Sequence, residues 1–276
     1  MRFSILFAIL FSLVFSAAQA QRAGVPNTAG GKVVTGTVLI NDRTPVDFKA
    51  LLAALRTDWG VRIDSSSQSE KTLVVHTPTA TVMFANMDYP ASPAEISGAV
   101  EGAWLWRSAA EEAPRHQSQL IVSVIGQASR PLEAYKLYTR VTAAALDNTR
   151  SCGVYLASQY LLQSKVFFLQ AARNLNEKVL PIYCWIYFGM LQDGGASSAY
   201  TFGLSELGMP DLEIVKSAHS LQEAHAILYD AVNHALQNGV RLQDGSQIET
   251  QEGQKINLQL SKGVYLNDKL TLKVAY

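Results

Sequence analysis

The sequence predicts an α+β protein built from two tandem ferredoxin-like (βαββαβ) units joined by a helix, with sheets that could pack face to face. Three observations predict it. Strand and helix periodicities follow the order strand, helix, strand, strand, helix, strand, and that order recurs in the second half. Helix starts carry cap signatures at Thr44-Pro45-Val46-Asp47, Ser92-Pro93-Ala94-Glu95 and Ser220-Leu221-Gln222-Glu223. QLIVSVIG (119–126) is an almost unbroken apolar run, as a strand covered on both faces requires.

The first unit is expected over 33–127. VVTGTVLI (33–40) reads as a strand, and Phe48, Leu51, Leu52, Leu55 and Trp59 recur at helical spacing up to Gly60. A polar Ser-rich loop (64–71) precedes TLVVHT and ATVMFANM, which form a hairpin across Pro78. A helix striped by Ile96, Ala99, Val100, Ala103 and Trp104 then leads into QLIVSVIG. A connecting helix, from Pro131 to about Asp147, occupies the segment 128–150. The second unit, 151–276, opens on the strand CGVYLAS (152–158) and the helix 165–176. The strand IYCWIYFGML (182–191) and a turn at Asp193-Gly194-Gly195 follow. SAYTFGL and DLEIV are extended, a helix runs from Ser220 to Gly239, and VRLQDG, QKINLQL and LTLKVAY read as short C-terminal strands.

The chain has 276 residues, with 23 basic and 23 acidic side chains. Residues 1–20, MRFSILFAILFSLVFSAAQA, read as a signal peptide: Arg2, an apolar stretch from Phe3 to Phe15, and a small-residue cleavage site ending at Ala20. Residues 21–32 read as a flexible leader. Cleavage after Ala20 removes Arg2 and leaves 22 basic against 23 acidic side chains, a net charge of about −1. The expectation is an exported, periplasmic or secreted, soluble protein without a membrane span in the mature chain. With no basic face, nucleic acid is not an expected partner, and another protein is. The two cysteines, Cys152 and Cys184, fall on expected strands separated by one helix, and an oxidising compartment would permit a disulfide between them. Two buried thiols acting as small hydrophobes fit the same pattern.

Catalytic signatures are missing: the chain has no Gly-x-Ser-x-Gly, Walker loop, Gly-x-Gly-x-x-Gly or His-Glu-x-x-His. No cofactor or metal site is expected from motifs. The sharpest chemical feature is Asp211-Leu212-Glu213-Ile214. In a strand its two carboxylates share one face about 7 Å apart, a spacing that could divide acid and base duties or hold a hard cation. The same alternation also fits a half-buried strand whose acids face water. His219, just before the Ser220 cap, is the third catalytic candidate, and its position equally suits a solvated or cap-associated imidazole. Tyr183, Trp185 and Tyr187 would share one face of the expected 182–191 strand, a face that suits structural packing and could also line a ligand groove or the seam between sheets. Trp104 and Trp106 lie roughly 200° apart on a helix, so at most one is core, and Trp106 is the candidate contact residue.

Several stretches together resemble the bacterial domain-of-unknown-function family 4261. They are MDYPASPAEISGAVEGAWLW, QLIVSVIG, CGVYLAS, TFGLSELGMPDLEI and ALQNGVRLQDGS, so the resemblance runs from about Val33 to the C-terminus. A second uncharacterised family is similar only around Tyr200 to Gly239. Neither resemblance implies a reaction or a ligand. The sequence therefore leads to a non-enzymatic, immunity-like binding protein. A hydrolase using Asp211 and Glu213 with His219 or a bound cation is the first alternative. A small-ligand carrier, with its cavity at the sheet seam beside Trp185, is the second.

Overall fold

The computed structural model describes residues 31–250 and 253–276. The expected signal peptide and most of the leader lie outside the described residues.

A nine-residue strand pair organises the first half. β1 (Lys32–Ile40) runs antiparallel to β5 (Ser118–Gly126) over its full length, from Lys32↔Gly126 to Ile40↔Ser118. Val34, Val38 and Ile40 of β1 and Leu120, Val122 and Val124 of β5 point to one core, as the two-residue period dictates. Around this pair an antiparallel sheet forms in the order β2-β3-β4-β5-β1-β6-β7. The remaining strands are β2 (Ser65–Gln68), β3 (Thr72–His76), β4 (Thr81–Met87), β6 (Ser151–Leu156) and β7 (Leu161–Ser164). The Ser-rich stretch expected as a loop is thus the exposed edge strand β2, held by backbone pairing with β3 alone.

Helix α1 (Phe48–Thr57) starts three residues later than the Thr44 cap would place it. Asp47 caps it instead, its Oδ1 accepting from the Lys49 and Ala50 amides at 2.9 and 3.0 Å. The Ser92 box likewise does not form, since α2 (Pro93–Val100) has no side-chain cap. After α2 come turns and the short α3 (Ala109–Glu112), which cover the opposite face of the sheet with Ile96, Ala99 and Trp106 packed on Leu39, Tyr155 and Leu162.

The expected division at 127 and 151 is not followed, because β6 pairs with β1 and not with a strand of a second sheet. Helix α4 (Pro131–Asp147), expected as a connector, buries ten residues among them Tyr135, Tyr138 and Leu146. Helix α4 joins β5 to β6, which flank β1, whereas α1 leads from β1 to the edge strand β2, with β3, β4 and β5 lying between the two. The order of elements was legible but their grouping was not. Tyr138 reaches Gly36 so closely that a Cβ there would sit 1.8 Å from its hydroxyl oxygen.

The second half contributes α5 (Lys165–Asn174), capped by Ser164 through the Phe167 amide, and a mixed sheet. Its order is β11-β12-β13-β10-β9-β8, parallel only where β10 meets β13. The strands are β8 (Tyr187–Asp193), β9 (Ala196–Phe202), β10 (Leu212–Ser217), β11 (Gln247–Glu249), β12 (Lys255–Lys262) and β13 (Leu270–Val274). VRLQDG is irregular and not a strand. Helix α6 (Leu221–Asn238) covers one face with Ala224, Leu228, Val232 and Ala235 against Ala199, Leu212 and Ile214. Its ends are as expected: Ser220 and Glu223 form the reciprocal capping box, and Gly239 closes it at φ 64°. Both sheets share one core, and Lys32–Tyr276 forms one unit in place of two. Helix α4 ties the halves together: Trp185 donates its Nε1–H to Thr139 Oγ1 at 2.8 Å and packs on Tyr135.

Candidate functional site

Asp211 and Glu213 are both buried, and each is committed to a different piece of backbone. Asp211, just before β10, accepts through Oδ1 from the Leu204 amide at 2.9 Å and from the Thr201 hydroxyl at 3.2 Å. It thereby fixes the 3-10 turn Leu204–Leu207 against the end of the strand. Its Oδ2 is buried with no hydrogen-bond partner among the described residues. Desolvation pushes the carboxyl up to about 6, against the opposing effects of the Leu204 amide, the Lys269 charge and Thr201.

Glu213 sits in a cradle of three successive amides. Val264 donates to Oε2 at 2.9 Å, Tyr265 and Leu266 donate to Oε1 at 3.0 and 3.1 Å, and the Lys273 ammonium lies 3.1 Å from Oε2. Burial alone would raise this carboxyl, but the Val264 amide, Lys273 and the neighbouring amides together hold it below its ordinary value. Consecutive N–H groups converging on one anion form a nest, here filled by a side chain of the same chain. The loop can close this tightly because residue 263 is glycine: a Cβ there would stand 2.1 Å from the Leu266 carbonyl oxygen.

His219 does not join the two acids. It follows the far end of β10, two residues beyond Ser217. There it is half-exposed, stacked on Tyr276 at 4.1 Å and 4.0 Å from Glu223. Asp211, Glu213 and His219 are three separate structural positions.

What the Glu213 cradle produces is an aromatic surface on the sheet face opposite α6. The pinned loop lays Tyr265 on Tyr200, ring centroids 5.5 Å apart and 16° from parallel. Tyr200 in turn lies over Gly189, where a Cβ would meet its ring at 2.1 Å, and touches Tyr187 at 6.1 Å. Beside this row Lys269 places its ammonium 4.4 Å from the Phe202 ring centre, and Phe202 packs on Tyr160, which is 55 % exposed. The three tyrosines are half-buried, each with its ring between protein and solvent.

The other aromatic candidates divide differently from expectation. Tyr183, Trp185 and Tyr187 do not share a strand face, because Ile182–Cys184 after Pro181 is a 3-10 turn and the strand begins only at Tyr187. Trp185 is accordingly in the core, fully buried. Tyr183 stacks between His225 and Tyr229 of α6, with its hydroxyl 3.3 Å from His225 Nε2. Trp106 is core as well, packed where a Cβ on Gly153 would strike it at 2.6 Å, while Trp104 is 43 % exposed and stands edge-on to Tyr183. The helix expected to continue through both tryptophans stops at Val100, so helical spacing does not govern them. A cavity of only about 20 Å³, room for a water molecule, lies where Trp104, Tyr183 and Tyr187 meet.

The permitted disulfide is not formed. Cys184 is buried in the main core, whereas Cys152 packs at the cluster on the other face of the first sheet, its thiol 3.7 Å from the Leu39 carbonyl. Burial pushes the Cys152 thiol up to about 11 and raises Cys184 further. Among the described residues no three His, Cys, Asp or Glu side chains converge as a metal set would, and no helix is long and apolar enough to cross a membrane. Sequence reasoning missed Tyr160, Tyr265, Lys269 and Lys273. The only local hint was the Asp211-x-Glu213 alternation, in which Asp211 is held from just upstream but the amide partners of Glu213 lie some fifty residues downstream.

Comparison with curated proteins and with solved structures finds no match. A family model does match, over residues 200–275, and is described as a domain of unknown function (DUF4261). That span is narrower than the resemblance from Val33 onward, yet it contains Tyr200, Asp211, Glu213, Tyr265 and Lys273. The C-terminal segment that builds the Glu213 cradle thus matches the DUF4261 model, while Tyr160 and Tyr187 of the aromatic face lie outside the match.

Proposed function

We propose that the protein acts by binding another protein through the aromatic face of the second sheet, masking it in the manner of an immunity protein after export directed by residues 1–20. The observation that carries this reading is the Tyr187–Tyr200–Tyr265 row, kept at the surface by a loop that a buried carboxylate pins in place. Tyrosines in such a position offer large apolar area, a hydroxyl for a partner's polar groups, and little conformational entropy to lose. Lys269 and the exposed Tyr160 extend the patch and favour a partner that brings apolar groups together with a carboxylate. Glu213, with its oxygens already taken by four donors, supports a structural role and not an acid–base one.

The test is quantitative affinity purification from the source cells, wild type against Tyr160→Ser/Lys269→Glu and against the remote surface variant Val166→Ser. A stoichiometric partner retained by Val166→Ser and lost by the face variant is expected. The same proteins recovered by all three forms in equal amounts, or by none, would overturn the reading.

A further inference from the structure

Away from the aromatic face, three elements border an open cleft of about 680 Å³: the segment 128–133 that opens α4, the turn around Leu207–Met209, and the C-terminal end of α6 with its following residues up to Arg241. Its floor is apolar, formed by Leu132, Leu207, Met209 and Leu236. Two guanidinium groups, Arg130 and Arg241, stand at its exposed rim. Neither has a carboxylate partner among the described residues. The one carboxylate in the lining, Glu133, is taken by Lys136 at 3.1 Å. The cleft is therefore apolar inside and cationic at its mouth, in a chain whose formal charge is balanced overall.

We infer that this cleft binds a small amphiphilic anion, a carboxylate or phosphate head on an apolar body. The volume falls in the range of sites that take small organic molecules, roughly 300–1,000 Å³. The apolar body removes the leucine and methionine side chains from water, and the anionic head meets the two arginines. Guanidinium is the side chain best shaped to grip either head group in a bidentate fashion. The site is independent of the protein-binding face, so failure of one reading leaves the other standing.

Isothermal titration of the full chain tests it, with octanoate and octyl phosphate as probes and octanol as the uncharged control. Saturable one-to-one binding of at least one anionic probe is expected, with octanol at least about tenfold weaker, the worth of one charge-assisted contact. The pair of anions also tells a carboxylate site from a phosphate site by which binds more tightly. Arg130→Gln/Arg241→Gln should weaken the anion by about tenfold or more. Arg173→Gln, whose guanidinium pairs with Asp147, should leave it unchanged. Octanol binding as tightly as the anions, the double variant retaining full affinity, or no saturable binding of either anion would each overturn the inference.

Discussion

The 3-10 turn held by Asp211 and the loop held by Glu213 are both fastened by a buried carboxylate, two residues apart in one segment, and the two groups ionise in opposite directions. Asp211 has two donors on one oxygen and none on the other, and its carboxyl is pushed up to about 6. Glu213 has three amides and an ammonium, and its carboxyl is held low. Neither side chain reaches solvent, at 2 % and 0 % exposure, although Asp211 lies deeper among protein atoms. The two also differ in how completely the protein replaces the water that each oxygen gave up. A carboxylate whose hydration is fully substituted stays charged well into the acid range, and one half-substituted takes up its proton closer to neutrality.

The largest effect is expected where the substitution is complete. Glu213→Ala removes the acceptor for three amides and leaves Lys273 without its counter-ion, which should cost about 3–5 kcal/mol, the range for breaking a buried ion pair. It should also release Tyr265 from Tyr200, so near-ultraviolet circular dichroism should lose tyrosine signal in the still-folded fraction. Denaturant unfolding that shows less than about 1 kcal/mol of loss would mean that the loop is held by something other than the cradle.

Asp211 gives a smaller effect with the opposite sign. Its folded carboxyl, near 6, lies above the ordinary value of 3.8. A raised value means that the folded state prefers the protonated form. Its contribution to stability is therefore fully present below about 3.8 and is lost as the pH rises through about 6. Glu213 behaves inversely: its contribution is present above the ordinary 4.5 and is lost as the pH falls below that through its lower folded value. Stability should consequently rise between pH 8 and pH 5. Asp211→Asn, which keeps a neutral acceptor on the Leu204 amide, should be more stable than wild type by about 3 kcal/mol at pH 8 and by about half that at pH 5, the two converging only near pH 3.8. Urea unfolding of both forms across that range checks it, and parallel curves at every pH would place the ionisation elsewhere.

Much of the scaffold around these residues was legible locally. The Ser220–Glu223 box, the Gly239 stop and the apolar run of β5 are signals confined to a few neighbouring residues, and each is where its signal puts it. The errors arose where a distant partner decides. Whether β6 joins β1 or opens a second sheet depends on pairing across more than a hundred residues, and α4 looks like a connector until that pairing is known. Trp185 reads as an alternating strand residue, but the chain after Pro181 turns to bury its indole against Thr139. The Asp211-x-Glu213 pattern marked the right strand, while its meaning resided in Val264–Leu266. A strand alternation cannot reveal whether a carboxylate faces water or a nest of amides, because the nest is supplied by another loop.

The smallest effect separates the two components of the Glu213 cradle. Lys273 comes from β13, pairs in register with Glu213, and is 22 % exposed, so water reaches its ammonium. It also donates to the Lys262 carbonyl at 2.9 Å and to Thr271. Lys273→Met keeps the apolar stem and deletes the charge. If the amides are the main support for the carboxylate, the variant should lose only about 1 kcal/mol, and the Glu213 carboxyl, followed by carbon-detected nuclear magnetic resonance through an acid titration, should still protonate below its ordinary 4.5. If the ammonium is the main support, the carboxyl should move upward past that value and the stability loss should approach that of Glu213→Ala. The amides are favoured because three of them are fixed by the loop backbone and need no side-chain ordering, whereas the lysine must immobilise four rotatable bonds to reach the same oxygen. Glu213 without Lys273 would still hold three backbone donors against the single amide on Asp211, and that surplus is what keeps its carboxyl low.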